Sequence, residues 1–362
     1  MWQRWFIALG IVWLAAAGAG AQEISFSRHV SPLLYQLGCS AGQCHGSFSG
    51  KGGFRLSLFA GSPEMDYQNV RSGFDRRLSA QDPEKSLLLL KPTGQVEHMG
   101  GVRLRKGSWQ YDVLAKWIAS GARYDAGKEA KVVSLRIEPA SVIITATAKT
   151  PSEARRLKVF ARLSTGVEDD VTKFARFESL DPSTANADAD GIVAVKLPGD
   201  TAILAHYAGQ VGFATILAPY AANPNVKAPA ETPTDIVDKL LLSRMAKLNI
   251  VPSPVCDDLT FLRRVYLDVI GQLPTPDEVR SFLSDPAPGK RTRVIDRLLA
   301  HPLHAATWAG RMCDMTGADD RFLGDGVYQF HDWFRNKLEA NWPWDKIAYG
   351  VICATAADDR EP

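Results

Sequence analysis

The sequence predicts a multidomain chain: a small, loop-rich all-α block, an all-β block of sandwich type, and then a mainly α-helical block. Three observations carry this. Apolar residues recur at helical spacing near the start, at Phe26, Val30, Leu33, Leu34 and Leu37. Short β-type runs separated by turn residues occupy Val132 to Pro219. Helical periodicity returns from Thr234 onward. A chain of 362 residues exceeds one ordinary domain. Its composition, 46% apolar and 23% charged, excludes collagen and wholesale disorder.

Residues 1–21 read as a signal peptide. Arg4 precedes an apolar run from Trp5 to Ala17, and Ala19-Gly20-Ala21 has the A-x-A form of a cleavage site. The run is shorter than the roughly 20 apolar residues that a hydrocarbon core of about 30 Å requires. No later stretch is long and apolar enough either, so no transmembrane span is expected after cleavage.

The first block, residues 23–126, begins with the periodic segment at Phe26. A Cys/Gly-rich loop from Cys39 to Gly53 follows, and Tyr111–Ile118 is a second helix signal stopped by Gly121. The second block, 132–219, carries the runs Leu135–Ile137, Leu157–Ala161, Val193–Val195 and Ala202–Ala205. Gly166, Asp181-Pro182, Asp190-Gly191 and Pro198-Gly199 separate them. That spacing predicts an antiparallel sandwich. Residues 220–233 read as a linker rich in Ala, Pro and Asn. The third block, 234–362, shows helices over Asp235–Leu248, Leu259–Ile270, Asp277–Leu283 and Arg291–Leu299. Thr275-Pro276-Asp277-Glu278 is a capping-box start. The last residues, Asp359 to Pro362, supply no closing element, so this block is expected to be truncated.

Charge and motifs limit the function. There are 42 basic against 40 acidic residues, which gives no electrostatic case for nucleic acid. No Gly-rich phosphate loop, G-x-S-x-G or H-E-x-x-H occurs, so no catalytic residue is assigned. The sharpest feature is Cys39-Ser40-Ala41-Gly42-Gln43-Cys44-His45. Two thiols followed at once by a histidine is the logic of c-type haem attachment: each Cys forms a thioether to a vinyl group, and the imidazole ligates iron. The usual two intervening residues are here four, and Ser40, Ala41 and Gly42 are small enough to loop outward. Two other readings stay open, a Cys39–Cys44 disulfide and a zinc site completed by His29 and His98.

A low-spin haem needs a sixth ligand, His or Met. Glu97-His98-Met99-Gly100-Gly101 offers both; His98 is the preferred distal ligand and Met99 its rival. Lys51, Arg55, Lys91, Arg103 and Arg105 could pair with propionates or form a solvated rim. Cys256, Cys313 and Cys353 show no ligand spacing. His301 and His304 flank Pro302, which suggests a turn. Arg263, Arg264 and Asp268, and Trp308, Arg311 and Asp314, read as intrahelical pairs and buried aromatics.

Several of these segments resemble a known arrangement. Ser25–Leu34, Cys39-x4-Cys44-His45-Gly46, Gly50–Leu58, Pro83–Pro92, His98–Gly101 and Trp117 to Ala122 resemble the planctomycete cytochrome c-like domain. Leu135-x-Ile137-x-Pro139, Gly166, Asp170-Val171-Thr172, Asp181–Ala187, Gly191 and Tyr207-x-Gly209 are similar to bacterial Ig-like domains of group 2. Phe261–Thr275, Arg291–Leu299 and Trp308-Ala309 resemble the helical domain of unknown function that follows these two in large exported planctomycete-type proteins. Members of that family usually continue into a further large domain.

The resemblance implies an exported protein, periplasmic or at the cell surface, binding one covalent haem c and passing single electrons. Cys39 and Cys44 would hold the macrocycle, His45 would be the proximal ligand, and His98 or Met99 the distal one. The expected partners are an unidentified redox protein and, through the Ig-like block, a protein or carbohydrate. The alternative is a cofactor-free cell-surface binding or structural protein with a Cys39–Cys44 disulfide. Family context alone would link it to polysaccharide processing.

Overall fold

In the computed structural model of the chain, residues 24–72, 77–125, 130–145, 156–222 and 235–353 are described. The signal peptide and most of the linker lie outside them. The chain divides into two units, Met1–Pro252 and Ser253–Pro362.

The first unit opens with helical turns. A π turn, Phe26–Val30, runs into α1, Ser31–Gln36, and Ser25 caps its start by accepting from the Arg28 amide. Helices α2 (Pro63–Arg71), α3 (Leu87–Leu90) and α4 (Trp109–Ala119) complete the segment. Ser108 caps α4 by accepting from the Tyr111 amide. Phe26, Leu33, Leu89, Leu114, Trp117 and Ile118 are buried together. The Phe26 ring lies 5.2 Å from both the Tyr67 and the Trp117 ring. Each such residue contributes about 1.5–3 kcal/mol by burial, so this cluster fixes how the helices meet.

One carboxylate sits inside this segment. Asp66 of α2 accepts from the Ser57 amide at 2.5 Å and from the Ser57 and Ser31 hydroxyls at 2.8 Å each. It is 2% exposed. Burial pushes its carboxyl above the usual range, although all three donors favour the charged form. Asp66 thereby fastens the loop at Ser57 to α1 and α2.

The β segment has nine strands: β1 (Val132–Glu138), β2 (Ser141–Ile143), β3 (Lys158–Leu163), β4 (Glu168–Asp170), β5 (Arg176–Ser179), β6 (Ala185–Ala187), β7 (Val193–Val195), β8 (Gly199–Tyr207) and β9 (Gln210–Ala218). One sheet has the order β1-β3-β4, a second β2-β9-β8-β5, and β6-β7 form a ribbon. Every pair is antiparallel except β2 with β9. Along β8, Thr201, Ile203, Ala205 and Tyr207 point inward, the period of two expected of a half-buried strand. Gly212 of β9 backs directly onto Leu135 and Ile137 of β1, so the two sheets pack face to face over one core. The four anticipated runs all fall in strands. The sequence reading missed β2, β4, β5, β6 and β9; the near-continuous apolar run of β9 lacks alternation.

The helical and β segments share one unit because side chains cross their seam. Arg28 pairs with Asp169, and the Tyr207 hydroxyl donates to the Arg28 carbonyl at 2.8 Å. Gln36 Nε2 donates to the Lys173 and Ala175 carbonyls at 2.9 Å each. At the β8–β9 turn, Gly209 has φ +76° and donates to the Phe59 carbonyl at 2.9 Å. A Cβ there would come within 3.0 Å of Gly61, so the approach requires glycine. Two histidines lie in the seam. His29 packs on Phe174, and His206 lies between Phe59 and Tyr35.

Helix α5, Ile236–Lys247, was expected to open the third block, and it makes its contacts with the first unit. Arg244 pairs with Asp200 of β8, and the Tyr220 amide donates to the Leu248 carbonyl at 3.0 Å. These polar ties, rather than its apolar residues, hold it.

The second unit is helical: α6 (Asp258–Ile270), α7 (Pro276–Ser284), α8 (Lys290–Leu299), α9 (Pro302–Thr316), α10 (Asp320–Leu323), α11 (Gly326–Glu339) and α12 (Trp344–Cys353). The capping box at Thr275 is present, with Glu278 reaching back to the Thr275 amide at 2.8 Å. One core gathers Leu262, Tyr266, Ile270, Phe282, Val294 and Leu298; another gathers Ala309, Cys313, Trp333, Phe334 and Ile347. Pro302 starts a helix instead of making a turn, because proline suits a first helical position and His301 caps it. Arg311 lies over the Trp308 ring, 4.8 Å from its centre. Among the described residues, no helix is long and apolar enough to cross a membrane.

Two outcomes follow from this packing. Burial lowers the pKa of His29, with Arg28 adding to the shift and Asp125 and Asp169 opposing it. Burial also lowers that of His206, against Glu178 and with Arg176. A depressed histidine contributes stability that is full above its unfolded value of about 6.5 and lost as pH falls. The thermal midpoint of the first unit should therefore drop from about pH 7.5 to about 5.5, and His29→Phe with His206→Phe should flatten that slope. An unchanged slope in the double variant contradicts this assignment. Asp66→Ala strands three buried donors and should cost about 3 kcal/mol in denaturant unfolding. A loss below about 1 kcal/mol would mean the clamp is dispensable.

Candidate functional site

The site grows out of the loop after α1. The Cys39 amide donates to the Leu34 carbonyl at 2.9 Å, which continues the helix end into tight turns. The Cys44 amide donates to Ala41 at 2.8 Å, the Gly46 amide to Ala41 at 3.0 Å, and the His45 amide to Cys39 at 3.1 Å. The loop therefore closes on itself and sets Cys39 beside Cys44-His45. Gly42 and Gln43 are exposed, whereas Ser40, expected to loop outward, is buried (2% exposed), so only the middle of the loop bulges out. A Cβ at Gly46 would fall 2.2 Å from the Ser40 carbonyl, so this closed turn requires glycine after the histidine.

His45 is oriented by backbone. Its Nδ1 lies 2.9 Å from the Phe54 carbonyl and 3.1 Å from that of Lys51. A carbonyl oxygen only accepts, so Nδ1 carries the proton and Nε2 keeps its lone pair. The Leu56 amide donates back to the His45 carbonyl at 2.7 Å. Residues 54–57 thus run alongside the histidine, and Asp66 anchors them at Ser57. Burial lowers the His45 pKa, with His98 and Lys91 adding to the effect and two backbone hydrogen bonds opposing it. The imidazole is neutral at pH 7, the form that ligates metals.

His98 is arranged in the same way. Its Nδ1 lies 2.9 Å from the Gly101 carbonyl, which leaves Nε2 bare. The His45 and His98 rings have centres 6.3 Å apart and planes within 12° of parallel. Two imidazoles bonded at about 2 Å to opposite sides of one metal have ring centres about 6 Å apart. Both histidines and Cys39 line a cavity of about 340 Å³, at the small end for sites that bury organic ligands. Leu34, Leu37, Phe54, Leu88 and Leu114 form much of its wall.

The remaining candidates separate clearly. Met99 is fully exposed (101%) and does not line the cavity. Cys44 is half-buried and is not a wall residue either. Cys39 and Cys44 carry free thiols. Burial pushes the Cys39 thiol up to about 12, partly opposed by Arg103, so it is protonated at neutral pH. His29 has the opposite tautomer from His45: its Nδ1 accepts from the Ser25 amide at 3.0 Å, and its ring sits on Phe174. Among the described residues, no group of three or more His, Cys, Asp or Glu could hold a metal ion.

Of the basic residues singled out in the sequence, Lys51 and Lys91 line the cavity. Arg55 lies over Phe48, and Arg103 Nε donates to the Gly100 carbonyl at 2.8 Å. Sequence reasoning missed Arg77, another wall residue, whose guanidinium lies 4.7 Å from the Phe54 ring centre. Arg77 belongs to no motif, and only the fold brings it there. Phe54 stood inside the quoted Gly50–Leu58 segment without a role; it supplies the carbonyl that orients His45.

Comparison with known proteins bears on the other end of the chain. Residues 236–361 match the model of the family PSCyt2, a protein of unknown function (DUF1549). No curated protein matches the chain. The match spans α5 and the second unit, and it leaves the cavity and the sheets outside it.

Proposed function

We propose that the first unit is a haem c-binding module of an exported protein and serves in single-electron transfer. The observation that carries this reading is the pair of parallel imidazoles, His45 and His98, with ring centres 6.3 Å apart across a mostly apolar cavity that Cys39 also lines. The donor chemistry fits. Both rings are fixed through Nδ1, the Nε2 of His45 is unprotonated, and among the described residues the walls contribute cations without a carboxylate. When bound, haem supplies reversible one-electron oxidation and reduction.

The residues have separate tasks. His45 and His98 would hold the iron, and a bis-histidine pair would set a lower potential than a His/Met pair. Cys39 provides one thioether attachment and Cys44, one residue ahead of the proximal histidine, the other. Phe54 and Gly101 carbonyls hold the ring tautomers, a support that raises ligand basicity. Leu34, Phe54 and Leu114 exclude water and keep the site's dielectric low. The sheets, which we read as an Ig-like module, serve as the rigid support on which the helical segment rests. That role is favoured by the hydrogen bonds across the seam.

The test is an absorption spectrum of the full chain produced in a host that matures c-type cytochromes. A Soret band that survives acid–acetone extraction is expected, and a colourless chain would refute the reading. His98→Ala should convert a six-coordinate low-spin spectrum to a high-spin one, whereas Met99→Ala should leave it unchanged. Cys39→Ala should lose most covalent attachment, seen as the bare polypeptide mass. The opposite outcome, with Met99→Ala changing the spectrum and His98→Ala silent, would exchange the distal assignment.

A further inference from the structure

We infer that His98 is a displaceable ligand: the turn that carries it opens as a unit, and the position it vacates accepts a small uncharged molecule. This rests on the haem reading and adds how the site opens and what else it binds. The two histidines are held unequally. His45 is built into the fold at three points. Its amide donates to the Cys39 carbonyl at 3.1 Å, its carbonyl accepts from the Leu56 amide at 2.7 Å, and its Nδ1 meets the Phe54 carbonyl at 2.9 Å. His98 is held by its own turn. Its Nδ1 donates to the Gly101 carbonyl at 2.9 Å, and its carbonyl accepts from the Gly101 amide at 2.8 Å. Among the described residues, the amides of Glu97, His98, Met99 and Gly100 donate no hydrogen bond to any other part of the chain. Arg103 Nε reaches the Gly100 carbonyl from just beyond the turn.

The ends of the turn are fixed and flanked by glycine. Before it, the Gln95 amide donates to the Leu90 carbonyl at 3.0 Å; after it, the Arg103 amide donates to the Pro92 carbonyl at 2.8 Å. Gly94 and Gly101, with φ +75° and +70°, stand at the two ends, where backbone rotation is least restricted. Gly100 has a different task. A Cβ there would fall 2.9 Å from Cε1 and 3.2 Å from Nε2 of His98, so the ligating edge of the ring rests against this glycine and a methyl group would push it aside. Gly100 is thus a positioning residue for His98. A segment with few ties to its surroundings opens locally at small free-energy cost. Opening breaks the bond of Nε2 to the iron and lets an incoming lone pair take its place, with no electron transferred. Among the described residues, no hydroxyl, amide or carboxylate side chain lines the cavity, and Leu34, Leu37, Leu88 and Leu114 form much of its wall, which favours an uncharged ligand.

The experiment uses the haem-loaded full chain, reduced with dithionite and titrated with carbon monoxide. The Soret band should shift completely, with an affinity about 10–1000-fold below that of His98→Ala, as for an open state populated at about 0.1–10%. After flash photolysis, a rebinding phase independent of carbon monoxide concentration should report the return of His98, and His98→Ala should lack it. Gly100→Ala should raise the affinity roughly tenfold. A histidine-ligated spectrum that saturating carbon monoxide leaves unchanged would overturn this inference and leave the haem reading standing. So would persistence of the concentration-independent phase in His98→Ala, which would make His45 the ligand that leaves. Cyanide binding by the oxidised chain, without carbon monoxide binding by the reduced one, would overturn it in favour of an anion. A chain with no haem spectrum would overturn both readings.

Discussion

A hydrogen bond from His45 Nδ1 to the Phe54 carbonyl governs what this cavity can do. It places the proton on the nitrogen that faces backbone and leaves the other nitrogen free to coordinate. The bond exists only because residues 54–57 run beside the histidine, and they are held there by the Asp66 clamp at Ser57 and by the Leu56 amide. Burying a carboxylate costs free energy unless donors surround it, and three do. A chain of local constraints therefore leads from a buried acid in α2 to the tautomer of an imidazole. His98 reaches the same state independently, through Gly101.

The two segments of the first unit support each other. Tyr207 and Gln36 tie sheet to helix through backbone carbonyls, while His29 and His206 fill the seam in neutral form. Neutral, buried histidines make that seam weaker in acid. The cavity lies entirely in the helical segment, so the sheets act on it only through this contact. Cys39, His45 and His98 all lie on the helical side of that contact.

Much of this was legible in the sequence because the signals were local. Periodicity located α1 and α4, Thr275-Pro276-Asp277-Glu278 located the start of α7, and alternating short runs located four strands. The Cys39–His45 spacing and the adjacent His98-Met99 pair pointed to residues of which Cys39, His45 and His98 line one cavity. His98 and Met99 differ in a way sequence does not show: the His98 ring lies 6.3 Å from that of His45, whereas Met99 is exposed. Arg77 and the Phe54 carbonyl were invisible because nothing in their own neighbourhoods marks them. Helix α5 also meets the first unit, a contact invisible in sequence because its ties to Asp200 and Tyr220 are polar and non-local. The proline at 302 was ambiguous in sequence, because it serves equally in a turn and at a helix start.

In the proposed reading His45 and His98, whose ring planes lie within 12° of parallel, would both hold the iron. Electron paramagnetic resonance of the ferric, haem-loaded full chain tests it directly. A rhombic low-spin signal, the pattern of two imidazoles in nearly parallel planes, is the result expected from their 12° angle. An axial high-spin signal in the unmodified protein would contradict it.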